Sequence, residues 1–421
     1  MRALLAAGWL IGLTLVAFAQ GRKQPAAKPP LDPAVYLKLP AVDPVASTAR
    51  AIRVLVSLPE GDRRDQWPYE GVYREDAGQI PIGYRVGGTS IVGLALLAAP
   101  GYEEDSERAD AVQRGLAFVL ATLDVPRMSV EFEGRYDVRG WGHIFALQFF
   151  LALLDTGRTA KPLEAPVRDK TRWLVGALVD SRIPGSGGWN YSRPAGYMNP
   201  ENRASTFMTA PALQALFHAR ARGYEVPDRV LDEALDALER ARAAPGGYAY
   251  GAPAVAQADK TEEQLGMMDK TASSAARAAA IEATLTLAGR GNPARLQRAI
   301  DLFFAHWDDL AVRKSQLGTH VQPYGIAPYY FMYGHMYVAQ AIELLADDAA
   351  KPAWREKLRQ HLARSQDAEG SWNDRHFERS AGYGTAMAVL AMQMPTTGAP
   401  VARPSELEAM PESGPKPADA K

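Results

Sequence analysis

The stretch Ser181-Arg182-Ile183-Pro184-Gly185-Ser186-Gly187-Gly188-Trp189-Asn190-Tyr191, continued from Arg203-Ala204-Ser205-Thr206 to Ala219, decides how the whole chain is read. It opens on a glycine-rich turn, passes through Trp189 and Tyr191, and enters a segment carrying Phe207, Met208, Ala210, Leu213, Ala215, Leu216 and Phe217. Those residues cover nearly every side of a helix, and a helix apolar all round belongs in an interior. Pro211 within it predicts a kink or local break. The segment just upstream, Val167 to Asp180, differs: Arg168, Asp169, Lys170 and Arg172 give it a wet face. The unit is an outer amphipathic helix, a glycine-aromatic turn and a buried inner helix.

Five further stretches repeat that unit. The first copy joins an outer helix at Ala46 to Leu58, a turn at Gln66-Trp67-Pro68-Tyr69-Glu70-Gly71 and an inner helix opening at Gly87-Gly88-Thr89-Ser90. In the second, Val112, Leu116, Val119, Leu120 and Leu123 form a helical stripe; Gly134-Arg135-Tyr136 is the turn, and Gly140-Trp141-Gly142-His143 opens the inner helix. The fourth copy turns at Gly246-Gly247-Tyr248-Ala249-Tyr250, the fifth at Gln322-Pro323-Tyr324-Gly325, the sixth at Gln366 to Trp372. The inner helices start near residues 89, 142, 205, 273, 334 and 384, a period of roughly 60. One helical pair cannot bury its inner helix, whereas six pairs closed into a ring can. The expected fold is all-α: an α/α toroid of about six helical hairpins, spanning residues 43–395.

The ends read differently. Arg2, an apolar run from Ala3 to Ala19 and the small-x-small pattern Ala17-Phe18-Ala19 read as a signal peptide over residues 1–19. An uncleaved anchor is the alternative; with cleavage, no integral membrane span is expected. Residues 20–42 read as a Pro/Lys-rich linker and 396–421 as a disordered Pro-rich tail. The chain is therefore expected to be exported, to a periplasm or the exterior. With no Cys among 421 residues, disulfides and thiolate metal sites are excluded. A net charge of −1 argues against nucleic-acid binding.

The sixth copy places Lys357, Leu362, Gln366, Gly370 and Trp372 in a pattern that resembles the QW repeat of squalene-hopene cyclases, with His361 where that motif has an aromatic. The second copy keeps its first half, Arg114, Gly115, Phe118 and Val119, with Leu123 where the Gln would stand. The chain thus resembles the terpenoid cyclase and prenyltransferase α/α-toroid superfamily. The resemblance implies the toroid fold and, for an enzyme, isoprenoid chemistry. The Asp-x-Asp-Asp acid of the cyclases does not occur, and no Cys exists for a prenyltransferase zinc site. No cofactor and no metal are expected. A ligand- or partner-binding protein is the first reading. The alternatives are a cyclase-type enzyme with a substituted acid and a polysaccharide lyase or hydrolase, chemistry that α/α toroids also serve.

In a toroid the inner helices start at one mouth, where free N–H groups gather. Arg85, Arg139, Arg203, Lys270 and Arg379 stand at five of those starts, a recipe for anion binding. Asp137, Glu201, Asp269 and Glu378 lie beside four of them, so loop pairing is the alternative. Trp141 and Tyr383 are further candidate ligand contacts, because aromatic walls suit isoprenoids and glycans alike. His143, His335 and Tyr330 are the candidate catalytic residues. The expected partner is a small molecule (isoprenoid, glycan or anion) or a protein.

Overall fold

The computed structural model describes residues 43–70, 78–132, 138–191, 203–243, 246–312, 322, 325–327, 329–374 and 379–405. The signal and linker, most of the tail, the 134–136 turn, and Asp137, Glu201, Pro323, Tyr324 and Glu378 lie outside the described residues.

Outer and inner helices alternate as the repeats require. The outer layer holds α1 (Pro44–Ser57), α3 (Ser106–Leu123), α5 (Lys161–Asp180), α7 (Asp228–Arg240), α9 (Pro293–Ala305) with the short α10 (Trp307–Ala311), and α12 (Lys351–Ser365). The inner layer holds α2 (Ile82–Ala98), α4 (Arg139–Thr156), α6 (Thr206–Ala221), α8 (Thr271–Leu287), α11 (Tyr330–Glu343) and α13 (Ser380–Thr397). Each inner helix packs on the next, and α13 returns to α2, so the ring is closed. Each outer helix leans on the inner helix before it; α1 completes the outer ring by leaning on α13. The fold is an α/α toroid, with isolated bridges but no strand among the described residues.

Burial follows the sequence pattern. On α7 only Val230, Leu231, Ala234, Leu235, Ala237 and Leu238 are buried, a single stripe. On α6 burial extends all round and includes Thr209 and Gln214. The expected break at Pro211 does not occur: α6 runs through it as one helix. Proline removes the donor to the carbonyl four residues back, and that carbonyl, of Phe207, accepts instead from the Tyr333 hydroxyl at 3.3 Å. Deeper in the ring, Gln214 donates to Thr284 Oγ1 and to Gln340 Oε1, both at 3.0 Å, tying α6, α8 and α11 together.

The aromatic turns are joints between the layers. The indole N–H of Trp67 donates to the Leu55 carbonyl (2.7 Å), Trp189 to Leu178 (2.7 Å) and Trp372 to Leu362 (2.9 Å). The backbone N–H of each Trp donates to a threonine hydroxyl on the inner helix: Thr89 at 3.0 Å, Thr209 at 3.2 Å and Thr385 at 2.9 Å. Each tryptophan thus gives a short bond to a carbonyl in the last turn of an outer helix, where the regular helical donors run out. Glycine permits the approach: a Cβ on Gly384 would lie 2.3 Å from the Trp372 carbonyl oxygen.

The expected boundary at residue 395 falls inside α13, which continues to Thr397. Residues 398–405 then form a strap across to α7 and α8. Arg403 donates its backbone N–H to Leu287 (2.9 Å) and its guanidinium to Asp232 (2.6 Å) and Asp228 (2.5 Å).

Candidate functional site

Five of the six inner helices begin around one feature. Tyr84 of α2, Trp141 of α4, Phe207 of α6, Tyr329 at the start of α11 and Tyr383 of α13 converge with Tyr69 and Tyr191 from two of the turns. Together these seven rings form a cup, closed on one another around a free space of about 10 Å³, room for about one water. Tyr69 lies 5.1 Å from Tyr84 and 4.8 Å from Tyr383, edge to face in both cases; Trp141 meets Tyr84 edge-on at 5.6 Å. Such arrangements set ring edges against neighbouring faces. All seven rings are buried. The cup is bounded by α2 and α4 at their closest approach, where a Cβ on Gly87 would lie 2.3 Å from the Trp141 ring. No Lys, Arg, His, Asp or Glu lines it among the described residues.

Trp141 and Tyr383 are the two sequence candidates the fold brings together there. The Tyr383 hydroxyl donates to the Tyr329 carbonyl at 3.3 Å. Burial pushes the Tyr383 hydroxyl well above the usual tyrosine range, and the charge of Asp374 adds to it. Burial does the same at Tyr329 and Tyr330. These phenols stay protonated at neutral pH, which leaves them as donors rather than bases.

The other candidates lie elsewhere. His143 is fully buried between layers, its Nε2 2.9 Å from the Met128 carbonyl and its ring edge-to-face with Trp173 of α5. A carbonyl only accepts, so Nε2 carries the proton. Burial lowers the imidazole to about 4, with the Met128 bond opposing and the Arg139 charge assisting. His335 also faces the outer layer: Nδ1 donates to the Phe331 carbonyl (2.7 Å), and Nε2 accepts from the Trp307 indole (2.9 Å). Tyr330 stacks among Phe207, Tyr329 and Tyr250 behind the cup. Neither histidine reaches the cup or the other, so the arrangement supplies no imidazole general base there.

The basic residues are dispersed as well. Arg85 Nε donates to Gln66 at 2.7 Å, with its guanidinium over Phe118. Arg139, buried, ties down its own loop through the carbonyls of Ser129 (2.5 Å) and Phe132. Arg379 pairs with Glu60 at 2.7 Å. Arg203 is exposed, and Lys270 is half-buried at the start of α8. The acid Asp269 accepts the Tyr250 N–H at 2.8 Å and holds its loop. None of the five lines the cup, so no ring of positive charge surrounds it.

In the sequence Tyr191 stands out as a turn aromatic able to line an apolar pocket and Tyr329 as part of an aromatic cluster, whereas nothing singles out Tyr69, Tyr84 or Phe207 as wall residues. One signal was available: Tyr69 and Tyr191 both stand two residues beyond a joint tryptophan.

No protein-family model and no curated protein matches the chain. Solved structures do. An unsaturated glucuronyl hydrolase responsible for the degradation of glycosaminoglycan, from Bacillus sp. GL1, superposes with a TM-score of 0.52 at 13% identity, over 86% of this chain and 97% of its own. A type II terpene cyclase from Scytonema gives a TM-score of 0.49 at 14% identity, over 84% of this chain and 98% of its own. The shared property is the α/α-toroid fold.

Proposed function

We propose that this chain is an exported α/α toroid that binds one small ligand group in the aromatic cup. The convergence of seven rings at the starts of five inner helices carries the reading. Aromatic surface presents faces on which a planar, saturated or cationic group stacks. The free space among the rings, about 10 Å³, is close to one water and far below the roughly 300–1,000 Å³ usual for a drug-sized ligand, so a ligand group is taken up only as the rings part to admit it. A long isoprenoid requires more space, and Phe207, Leu285 and Met387 are all buried in the continuous apolar core. An anionic ligand is poorly served where no cation lines the wall. Export rests on the apolar run from Ala3 to Ala19 and its cleavage pattern.

The test is calorimetric titration with a neutral glycoside, a short prenyl alcohol, an organic ammonium and a carboxylate. One of the first three binds at a single site, and Trp141→Ala abolishes that binding while the thermal transition remains cooperative. Binding that survives Trp141→Ala places the site elsewhere and refutes the reading.

A further inference from the structure

The fourth repeat departs from the joint that the first, third and sixth share. Its turn carries Tyr248 in place of a tryptophan, and the Tyr248 backbone N–H donates to the Ser274 hydroxyl of α8 at 3.0 Å, as the tryptophans do to their threonines. The Tyr248 hydroxyl donates to Glu282 Oε1 at 2.7 Å, whereas each indole reaches an outer-helix carbonyl. Glu282 is fully buried, and Arg242 grips it through Nε at 2.8 Å and Nη2 at 3.2 Å. Nη1 is the guanidinium nitrogen of Arg242 that this fork leaves over. A pocket of about 150 Å³ opens beside the network, between the fourth turn and α9. It has about ten times the space that one water requires. Three arginines line it: Arg242, and Arg295 and Arg298 of α9. Arg295, Arg298, Ala299 and Leu302 stand at i, i+3, i+4 and i+7, so one face of α9 forms that wall. No Asp or Glu lines the pocket among the described residues.

We propose that this pocket binds a doubly charged four-oxygen anion, sulfate or phosphate, free or at the end of an ester. The charge count favours a dianion. Glu282 is the acid that answers these arginines, bonded to Arg242 and 3.8 Å from Arg295 Nε. Three guanidiniums against that one carboxylate leave two positive charges in excess. Other acids on the flanking helices are engaged: Glu239 pairs with Arg290 at 3.0 Å, and Asp301 accepts from the Gln297 amide at 3.1 Å. Arg295 and Arg298 lie one turn apart on α9, where like charges repel, and an anion between them removes that repulsion. Guanidinium forks present paired N–H donors that match two oxygens of a sulfate or phosphate. Glu282 and Tyr248 hold the Arg242 fork in place before any ligand arrives, which lowers the ordering cost of binding. A carboxylate brings half the charge and two oxygens, too few for three forks. The pocket shares no lining residue with the aromatic cup, so the two sites stand or fall separately.

The test is calorimetric titration of the full folded chain with sodium sulfate, inorganic phosphate and sodium acetate, in a chloride buffer held at constant ionic strength. Sulfate and phosphate each saturate one site, and acetate binds about tenfold or more weakly. Arg295→Gln and Arg298→Gln each weaken sulfate about tenfold, the effect of losing one charge-assisted hydrogen bond. Both replace exposed side chains, and an unchanged thermal midpoint in chloride shows the fold intact. Arg168→Gln, at an exposed arginine of α5, leaves the affinity as it was. Absence of saturable binding of both dianions overturns the proposal. So does sulfate binding that survives both α9 variants, or acetate binding as tight as sulfate. The comparison of sulfate with acetate uses the unmodified protein, so it decides the matter even if a variant folds poorly. Phenyl phosphate separates the two sources: affinity above that of inorganic phosphate indicates an ester-borne group, and affinity at or below it indicates the free anion.

Discussion

The indole N–H of Trp189 donates to the carbonyl of Leu178 over 2.7 Å, and both partners are buried. Trp67 and Trp372 repeat the bond at Leu55 and Leu362. The turns that look most like active-site loops in the sequence are thereby structural, and the tyrosines beside them reach the cup.

Trp189→Phe keeps most of the buried area and leaves the Leu178 carbonyl with only the longer bond from the Ser181 hydroxyl, at 3.4 Å. The net loss of one such hydrogen bond costs about 0.5–1.5 kcal/mol. Urea denaturation of the variant shows a loss in that range. Ligand binding at the cup stays unchanged, because the joint tryptophans lie outside its lining.

His143 makes stability depend on pH with a definite sign. Burial holds the folded imidazole at about 4, against about 6.5 when unfolded. The unfolded chain therefore takes up a proton first as pH falls. The contribution of neutral His143 is complete above pH 6.5 and is lost progressively down to pH 4, reaching about 3 kcal/mol. His143→Gln flattens the stability profile across that window. Its titration followed by NMR shows a neutral ring with the proton on Nε2 at pH 6.

Glu282 is fully buried on α8. It accepts two bonds from Arg242, at 2.8 and 3.2 Å, and one from the Tyr248 hydroxyl at 2.7 Å. Breaking one side of such a pair strands the other charge. Glu282→Gln lowers stability by about 3 kcal/mol. The double variant with Arg242→Met recovers part of that loss, read by thermal unfolding.

Arg403 pins the strap to α7 through Asp228 and Asp232, with its side chain 17% exposed and theirs 34% and 52% exposed. Partly solvated pairs of this kind contribute less than about 1 kcal/mol. Arg403→Ala accordingly leaves the global transition nearly unmoved. It raises hydrogen exchange at the first turn of α7 and the last turn of α8, where the strap is anchored.

The fold was legible because burial is written as periodicity. The contrast between α6, apolar all round, and α7, with one stripe, needs no long-range information, and its sixfold recurrence implies a ring. The site was legible only in part. Trp141 and Tyr383 drew notice as aromatic residues at inner-helix starts. Tyr84 sits within an apolar run and looks like any core residue. The positions of the arginines at helix starts are visible in sequence, but whether a guanidinium turns to the mouth or, like Arg139, back to its own loop depends on side-chain packing.

The most direct test of the cup as the ligand site is fluorine NMR of the chain labelled with 5-fluorotryptophan. The sequence has eight tryptophans, and Trp141→Phe assigns the one in the cup. On titration with the compound that binds in the calorimetric series, the Trp141 resonance moves and saturates, while those of the joint residues Trp67, Trp189 and Trp372 stay in place. Saturable binding that leaves Trp141 unmoved and shifts another tryptophan contradicts the account.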